Sequence, residues 1–394
     1  MMTASKSLRD RLSPVVRDLP KSGIRDFFEI VATRDDVISL GIGEPDFVTP
    51  WHIRERAISA IEHGATHYTS NLGLAELRRS ICSYIKQSYP GLNYNWRTEV
   101  MVTVGVSEAL DGVMRAIIEP GDEIIYHEPC FVAYPAVIKL AGGVPIPVPT
   151  YAKDNFRLTR EALEAAVTPK TKALLINFPC NPTGAVIDEE GAKMIADFVE
   201  AHDILLISDE VYSELTYDVK RVSVMTQPSI RDRAIFLGGF SKAWAMTGFR
   251  LGFICAPDIL LDAMMKIHQY SIMCAPVLSQ QAAIEALDNG WDDVAMMRDS
   301  YRDRRNLLSS AFKEMGIKCF KPEGAFYAFP DISSTGLKSY DFAMALLDEE
   351  NVACVPGTAF GASGEGFVRC SYATDIEQLR EAMKRFARFV SKRQ

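Results

Sequence analysis

Residues 238–252 read GGFSKAWAMTGFRLG, and an apolar run, AIFLGGF at 234–240, leads straight into them. Two cations, Lys242 and Arg250, stand in a stretch otherwise made of glycine and of small, aromatic and aliphatic residues. Charged side chains are rarely buried without a partner. A lysine in apolar surroundings near another cation loses basicity through desolvation and like-charge repulsion. Its neutral amine can then attack a carbonyl to give a Schiff base. Taken alone, the stretch reads more simply as a lysine snorkelling out of a helix start. What surrounds it decides the reading.

Outward from this stretch, short apolar runs alternate with helical patterns. EVMVTVG (99–105), EIIYHE (123–128), VPIPVP (144–149), KALLINFP (172–179), ILLISDE (204–210), AIFLGGF (234–240) and RLGFICAP (250–257) read as strands. Between them, SEALDGVMRAII (107–118) carries apolar residues at 110, 113, 114, 117 and 118, a helical stripe. TREALEAAV (159–167) and DEEGAKMIADFVEAHD (188–203) also read as helices. Alternation of this kind predicts an α/β fold with a mainly parallel sheet covered on both faces. Ligands of such sheets bind at the carboxyl ends of the strands.

After about residue 290 the character changes. MMRDSYRDRRNLLSSAFKEMG (296–316) predicts a long charged helix, followed by short strands in AFYAFP, NVACVP and FVRCSYA. A final helix is expected to start at Thr374 with Glu377 three residues later, a capping box. A chain of 394 residues exceeds what one core usually serves, so two domains are expected. The expected boundaries are 46–285 for a large domain, with 1–45 and 286–394 forming a smaller one.

The net charge of −8 disfavours nucleic-acid and anionic-membrane binding while leaving room for a local basic pocket. No apolar run approaches the length of a transmembrane helix. The N-terminal stretch lacks the apolar core of a secretory signal. The eight cysteines form no CxxC pair and sit mostly in apolar runs, as reduced thiols of a cytoplasmic protein do. The histidines show no metal-ligand spacing, so no metal site is expected.

Three further stretches bear on Lys242. In ILLISDEVY (204–212), Asp209 ends an apolar strand, where a buried carboxylate needs a cationic partner, and Tyr212 follows three residues on. In NFPCNPTGAV (177–186), Asn181 opens a turn just past a strand. In VTVGVSEAL (102–110), strand, glycine and helix start bring backbone N–H groups near Ser107, an arrangement suited to phosphate. Singly, each has an ordinary reading as an N-cap, a turn or a strand–helix junction. Together they fit one ligand with an aldehyde, a pyridine nitrogen, a phenolic oxygen and a phosphate: pyridoxal phosphate.

The ordered set GEPDF (43–47), HYTSNLGLAELR (67–78), NPTG (181–184), SDEVY (208–212), SKAWAMTGFRLG (241–252) and PGTAFG…GFVRCSYA (356–373) resembles the class I/II aminotransferases of pyridoxal phosphate fold type I, from about residue 20 to 390. The resemblance implies a large domain with a mainly parallel seven-stranded sheet flanked by helices, plus a smaller α+β domain. It implies that Lys242 forms the Schiff base with the cofactor and later acts as the base at Cα. Asp209 would pair with the pyridine nitrogen, while Asn181 and Tyr212 would bond the phenolic oxygen. Phe131 would stack on the ring. Ser241, Arg250 and the N–H groups of Val106 and Ser107 would hold the phosphate, joined by Tyr68 of the partner subunit in a homodimer. The family often has a serine at the position of Gly239, so one hydroxyl contact is expected to be missing. Arg369 would take the substrate α-carboxylate, with Gly43 and Asn181 beside it.

The reaction so implied is transfer of an amino group from an L-amino acid, whether aromatic, alanine-type or dicarboxylic, to a 2-oxo acid such as 2-oxoglutarate, by a ping-pong route. Some family members have a lysine near position 107 that reads a dicarboxylate. Ser107 stands there in this chain, so strict aspartate specificity is in doubt. Ile24, Phe27 and Ile42 are expected to line an apolar side-chain pocket. A C–S lyase, decarboxylase or aminocyclopropane-carboxylate-type synthase using the same site is the alternative. A non-catalytic regulator would need a DNA-binding domain ahead of the pattern, and neither the early start of the pattern nor the acidic balance favours one.

Overall fold

The computed structural model describes residues 7–20, 31, 33, 34 and 36–394. Its centre is a seven-stranded sheet of β1 (Val100–Thr103), β2 (Glu123–Glu128), β3 (Val144–Pro149), β4 (Thr171–Asn177), β5 (Leu205–Asp209), β6 (Ala234–Gly239) and β7 (Gly252–Cys255), in the order β1-β7-β6-β5-β4-β2-β3. β2 through β6 run parallel, and β7 is antiparallel to both of its neighbours. The seven expected strands are therefore all present. The interior strands are buried on both faces, which is why they read as unbroken apolar runs.

Helices cover the two faces. α1 (Trp51–Glu62) packs on α5 (Val277–Asn289), while α2 (Gly105–Ile117), α3 (Ala133–Leu140) and α4 (Glu189–Ala201) cross between strands. On α2 the buried side includes Leu110, Val113, Met114 and Ile117, the stripe expected from the sequence. Each such side chain, fully buried, contributes about 1.5–3 kcal/mol. Asp188 caps α4 by accepting the Gly191 N–H at 2.8 Å, worth about 1 kcal/mol.

A second core lies beside the first. α6 (Trp291–Glu314), α7 (Ser339–Glu350) and α8 (Ile376–Ser391) surround it, with Leu308, Phe312, Phe342, Phe386 and Phe389 in its centre. A small antiparallel sheet, β8 (Tyr327–Ala328), β9 (Val355–Pro356) and β10 (Val368–Ser371), runs in the order β9-β10-β8. Ile38–Ser39 pairs in parallel with Val352–Ala353, and Leu40 enters the same core. Residues 38–40 are thus tied to the C-terminal part, while Pro14–Asp18 lies against α3 of the large sheet.

Two boundaries differ from expectation. The long charged helix starts at Trp291, earlier than Met296, because Asp292 and Asp293 suit its first turn. The last helix is capped by Asp375 and not by Thr374. The Asp375 carboxylate accepts the N–H groups of Glu377 at 2.9 Å and Gln378 at 3.2 Å. All eight cysteines are free thiols. Among the described residues, no helix is long and apolar enough to cross a membrane.

Candidate active site

Neighbouring strands set the floor of the site. Asn177 ends β4 and Asp209 ends β5, in register with each other. Asn177 Nδ2 donates to the Asp209 backbone oxygen at 2.8 Å, and its Oδ1 accepts the Asn181 N–H at 3.1 Å. One strand end thereby locks the other and fixes the turn that carries Asn181. Lys242 stands three residues past the end of β6, the strand next to β5.

The Asp209 carboxylate is buried. Its Oδ1 accepts the Val211 N–H at 3.2 Å and its Oδ2 accepts the Tyr134 hydroxyl at 2.8 Å. Burial pushes its pKa up to about 6, against the pull of Tyr134 and Val211. Glu210 is buried too, but the hydroxyls of Ser208, Ser213 and Ser223 hold its carboxylate, and it does not line the cavity. Of the two adjacent acids, only Asp209 opens onto the cavity.

Lys242 Nζ donates to the Gly43 carbonyl at 2.7 Å. Burial first, then the positive charges of Arg369 and Arg250, lower its pKa to about 8, with Glu44 and Asp209 opposing. Both the desolvation and the like-charge repulsion read from the sequence are at work. Arg250 has a left-handed backbone, φ +50°, and its guanidinium lies against Gly105 at the start of α2. A Cβ on Gly105, itself at φ +76°, would fall 2.9 Å from Arg250 Nη2. A guanidinium, the Ser241 hydroxyl and the free N–H groups of the first turn of α2 meet there.

Across the cavity lies Arg369, 3% exposed. It donates to Asn181 Oδ1 at 2.9 Å and to the Gly41 carbonyl at 2.6 Å, both neutral oxygens, and its Nε is buried without a partner. A buried cation with an unspent donor is a site for a carboxylate. Its bond to Asn181 Oδ1 also leaves Asn181 Nδ2 to serve as a donor.

One cavity of about 570 Å³ joins these groups: Gly43, Val106, Ser107, Phe131, Asn181, Asp209, Tyr212, Ser241, Lys242, Arg250 and Arg369 all line it. Tyr68 does not. It is 81% exposed on the surface of the chain. Ile42 also stays outside, 47% exposed, with Gly43 and Glu44 on the cavity wall beside it. In an extended stretch successive side chains face opposite ways. Ile24 and Phe27 lie outside the described residues.

The sequence reading missed Tyr134, Asn177, Glu44, Thr247 and Tyr327, all on the cavity wall. Asn177 had a signal, since it ends the same strand run that leads to Asn181. The others had none. The donor set suits pyridoxal phosphate: an amine of lowered basicity, a buried carboxylate with a face toward the cavity, hydroxyl and amide donors in Tyr212 and Asn181, and a guanidinium closing on a helix start.

Comparison with known proteins agrees. The family model described as aminotransferase class I and II matches residues 35–386. The Bacillus subtilis protein YugH, whose name carries no substrate, is 53% identical over 97% of this chain and 98% of its own. An aspartate aminotransferase of Pyrococcus abyssi is 47% identical, covering 92% of this chain and 94% of its own. The crystal structure of an aromatic aminotransferase from Pyrococcus horikoshii superposes with a TM-score of 0.89 at 46% identity, covering 94% of this chain and 99% of its own.

Proposed function

The chain belongs to the class I and II aminotransferases, and we propose that it carries an amino group from an aromatic, alanine-type or dicarboxylic L-amino acid to a 2-oxo acid, 2-oxoglutarate first among them, in two successive half-reactions. It is a pyridoxal phosphate enzyme of fold type I, as its relatives are. The observation that carries the reading is the single cavity shared by Lys242, Asp209, Asn181 and Arg369.

The cofactor supplies an aldehyde for the amino group and a pyridinium ring that takes up the electron pair released at Cα. The chain supplies the rest. Asp209, with its pKa at about 6, is largely ionised at neutral pH and would pair with the protonated ring nitrogen. Lys242, with its pKa at about 8, is partly neutral there, so its amine would hold the cofactor's aldehyde end and would serve as the base for a proton at Cα. Tyr212 and the free Nδ2 of Asn181 would donate to the phenolic oxygen. Phe131, which meets Tyr134 edge-on at 5.7 Å, would cover the ring. Ser241, Arg250 and the N–H groups of Val106 and Ser107 would bind the phosphate. Arg369 would take the α-carboxylate and orient Cα for proton loss.

Among the donors, aromatic and aliphatic side chains are favoured over dicarboxylic ones. The three cations on the cavity wall, Lys242, Arg250 and Arg369, already have duties. Ser107 offers no charge to a distal carboxylate. Two subunits would complete each site, with Tyr68 of the partner subunit reaching the phosphate. Exposed apolar side chains at Trp51, Ile58, Ile61, Tyr270 and Met273 support such a pairing.

The test is an absorbance titration of the cofactor-loaded protein against single L-amino acids with no acceptor. Conversion to the amine form of the cofactor, reversed by 2-oxoglutarate, is the expected result, and the fastest amino acid names the donor. Release of pyruvate and ammonia, or of carbon dioxide, would instead assign a lyase or a decarboxylase.

A further inference from the structure

Tyr327 touches both halves of the site. It lies on β8 and pairs with Ser371 of β10, two residues from Arg369 on the same strand. Residues two apart on a strand share a face, so Tyr327 and Arg369 are diagonal cross-strand neighbours. The Arg369 Cζ stands 4.5 Å from the centre of the Tyr327 ring. The Tyr327 hydroxyl lies 2.8 Å from the Tyr212 hydroxyl, and the two rings meet edge-on at 5.8 Å. A Cβ on Gly43 would fall 2.8 Å from the Tyr327 oxygen, so only glycine leaves the hydroxyl its place. Tyr327 is fully buried.

Counting protons gives the hydroxyl a direction. Each phenol has one O–H to donate. If Tyr212 gives its proton to the phenolic oxygen of the cofactor, as the proposed function requires, the short contact between the two phenols can be a hydrogen bond only with Tyr327 as donor. The Arg369 cation against the Tyr327 ring favours that polarity, because a nearby positive charge makes a phenol a better donor. Burial raises the Tyr327 pKa while Arg369 draws it down.

We propose that Tyr327 is a positioning residue that links the substrate-carboxylate site to the phenolic-oxygen site: its ring carries the Arg369 guanidinium, and its hydroxyl donates to Tyr212. A carboxylate arriving on Arg369 offsets the cation. Tyr327 then donates less strongly, Tyr212 becomes a weaker donor in turn, and the phenolic oxygen is felt differently at Lys242. Binding at one end is thereby reported at the other. The link rests on the proposed function.

The test uses cofactor-loaded protein and reads the pH midpoint of its absorbance change, with and without 3-phenylpropionate, a carboxylate lacking an amino group. In Y327F the ring remains and the donor is lost. The midpoint should rise by about 0.5–1 pH units. Its further rise on adding 3-phenylpropionate should shrink, and by linkage the Kd for that acid should depend less on pH than in wild type. Y327L removes the ring as well, so the Kd should weaken roughly 3- to 10-fold. Thermal unfolding of both variants separates folding losses from these readouts. A Y327F midpoint and ligand response equal to wild type, in protein that folds and holds cofactor, would overturn the link alone. Wild-type protein that takes up no cofactor at Lys242 would overturn the proposed function and the link together.

Discussion

The floor and the rim of the cavity are built by different means. On the floor, Asn177 and Asp209 end neighbouring strands in register, and Lys242 follows three residues past the end of the next strand, β6. On the rim, Gly43 comes from the N-terminal part of the chain, and Tyr327 and Arg369 from paired strands of the small sheet. Arg369 reaches Asn181 across 188 residues and Gly41 across 328. The floor is held by a sheet buried on both faces and will resist side-chain loss. The rim is held by a short three-stranded ladder, individual hydrogen bonds and ring contacts, so substitutions there should change how substrate sits before they change the fold.

The largest expected effect is on the floor. Lys242→Ala should remove turnover by at least about 10⁴-fold, since proton transfer by a positioned group alone contributes roughly 10²–10⁴, and the attachment of the cofactor is lost as well. The thermal midpoint of the cofactor-free protein should stay near wild type, because Lys242 is a desolvated cation there and not a packing element. Steady-state rates and a melting curve check this, and turnover near wild type would place the reactive amine elsewhere. Next comes the rim. Arg369→Lys keeps the charge but loses the planar fork. It should cost about 2–5 kcal/mol in kcat/KM, roughly 30- to 4000-fold. The loss should fall on every amino acid alike, since each carries the same α-carboxylate. Selective loss with one donor would mean that Arg369 reads the side chain instead.

How far the sequence revealed each half follows from the same difference. Asp209 is legible because a carboxylate at the end of ILLISD breaks an apolar strand, and Lys242 because a cation follows AIFLGGF. Both signals are local. Tyr327 sits in AFYAFP, where Phe326, Tyr327, Ala328 and Phe329 are all buried, so no alternation marks the one side chain that turns to the cavity. Tyr134 reads as an ordinary aromatic in FVAYP, and its bond to Asp209, 75 residues on, exists only after β2 and β5 have taken their places in the sheet. The expected wall at Ile42 failed for a related reason: apolar character says that a residue avoids water, and not which way an extended segment turns it. The small-domain strands were found as runs, but their length of two to four residues is set by tertiary pairing.

Tyr134→Phe tests whether the floor depends on more than strand register. It removes the hydroxyl that Asp209 Oδ2 accepts and leaves the ring packed. A hydrogen bond to a charged group is worth about 1.5–3 kcal/mol. Tyr134 stabilises the ionised carboxylate, so without it the Asp209 pKa should climb above about 6. Affinity for pyridoxal phosphate should then begin to fall at a higher pH as the solution is acidified, while affinity at pH 8 changes little. Fluorescence titrations of cofactor binding across pH 5–8 would show the shift. Identical curves for wild type and variant would mean that Val211 and the strand end suffice to hold Asp209.

The smallest effect concerns how the rim is anchored. His52, on α1 just past the Gly43 loop, bonds Glu285 of α5 at 2.7 Å through Nδ1 and Asp293 of α6 at 2.9 Å through Nε2. The two carboxylates raise its pKa above the usual 6.5, with the bond to Asp293 the largest cause. A raised folded-state value means that the charged form is favoured by folding. Its contribution is complete below pH 6.5 and is lost as pH rises through the raised value. The side chain is about one-third exposed, and solvent screening holds the gain under about 1 kcal/mol. His52→Gln should therefore lower the thermal midpoint slightly at pH 6 and hardly at all at pH 9. KM should follow the same pattern only if α1 steadies Gly43. A midpoint loss confined to low pH with KM unchanged would show that the rim is held by Arg369 and Tyr327 without help from the helix that follows it.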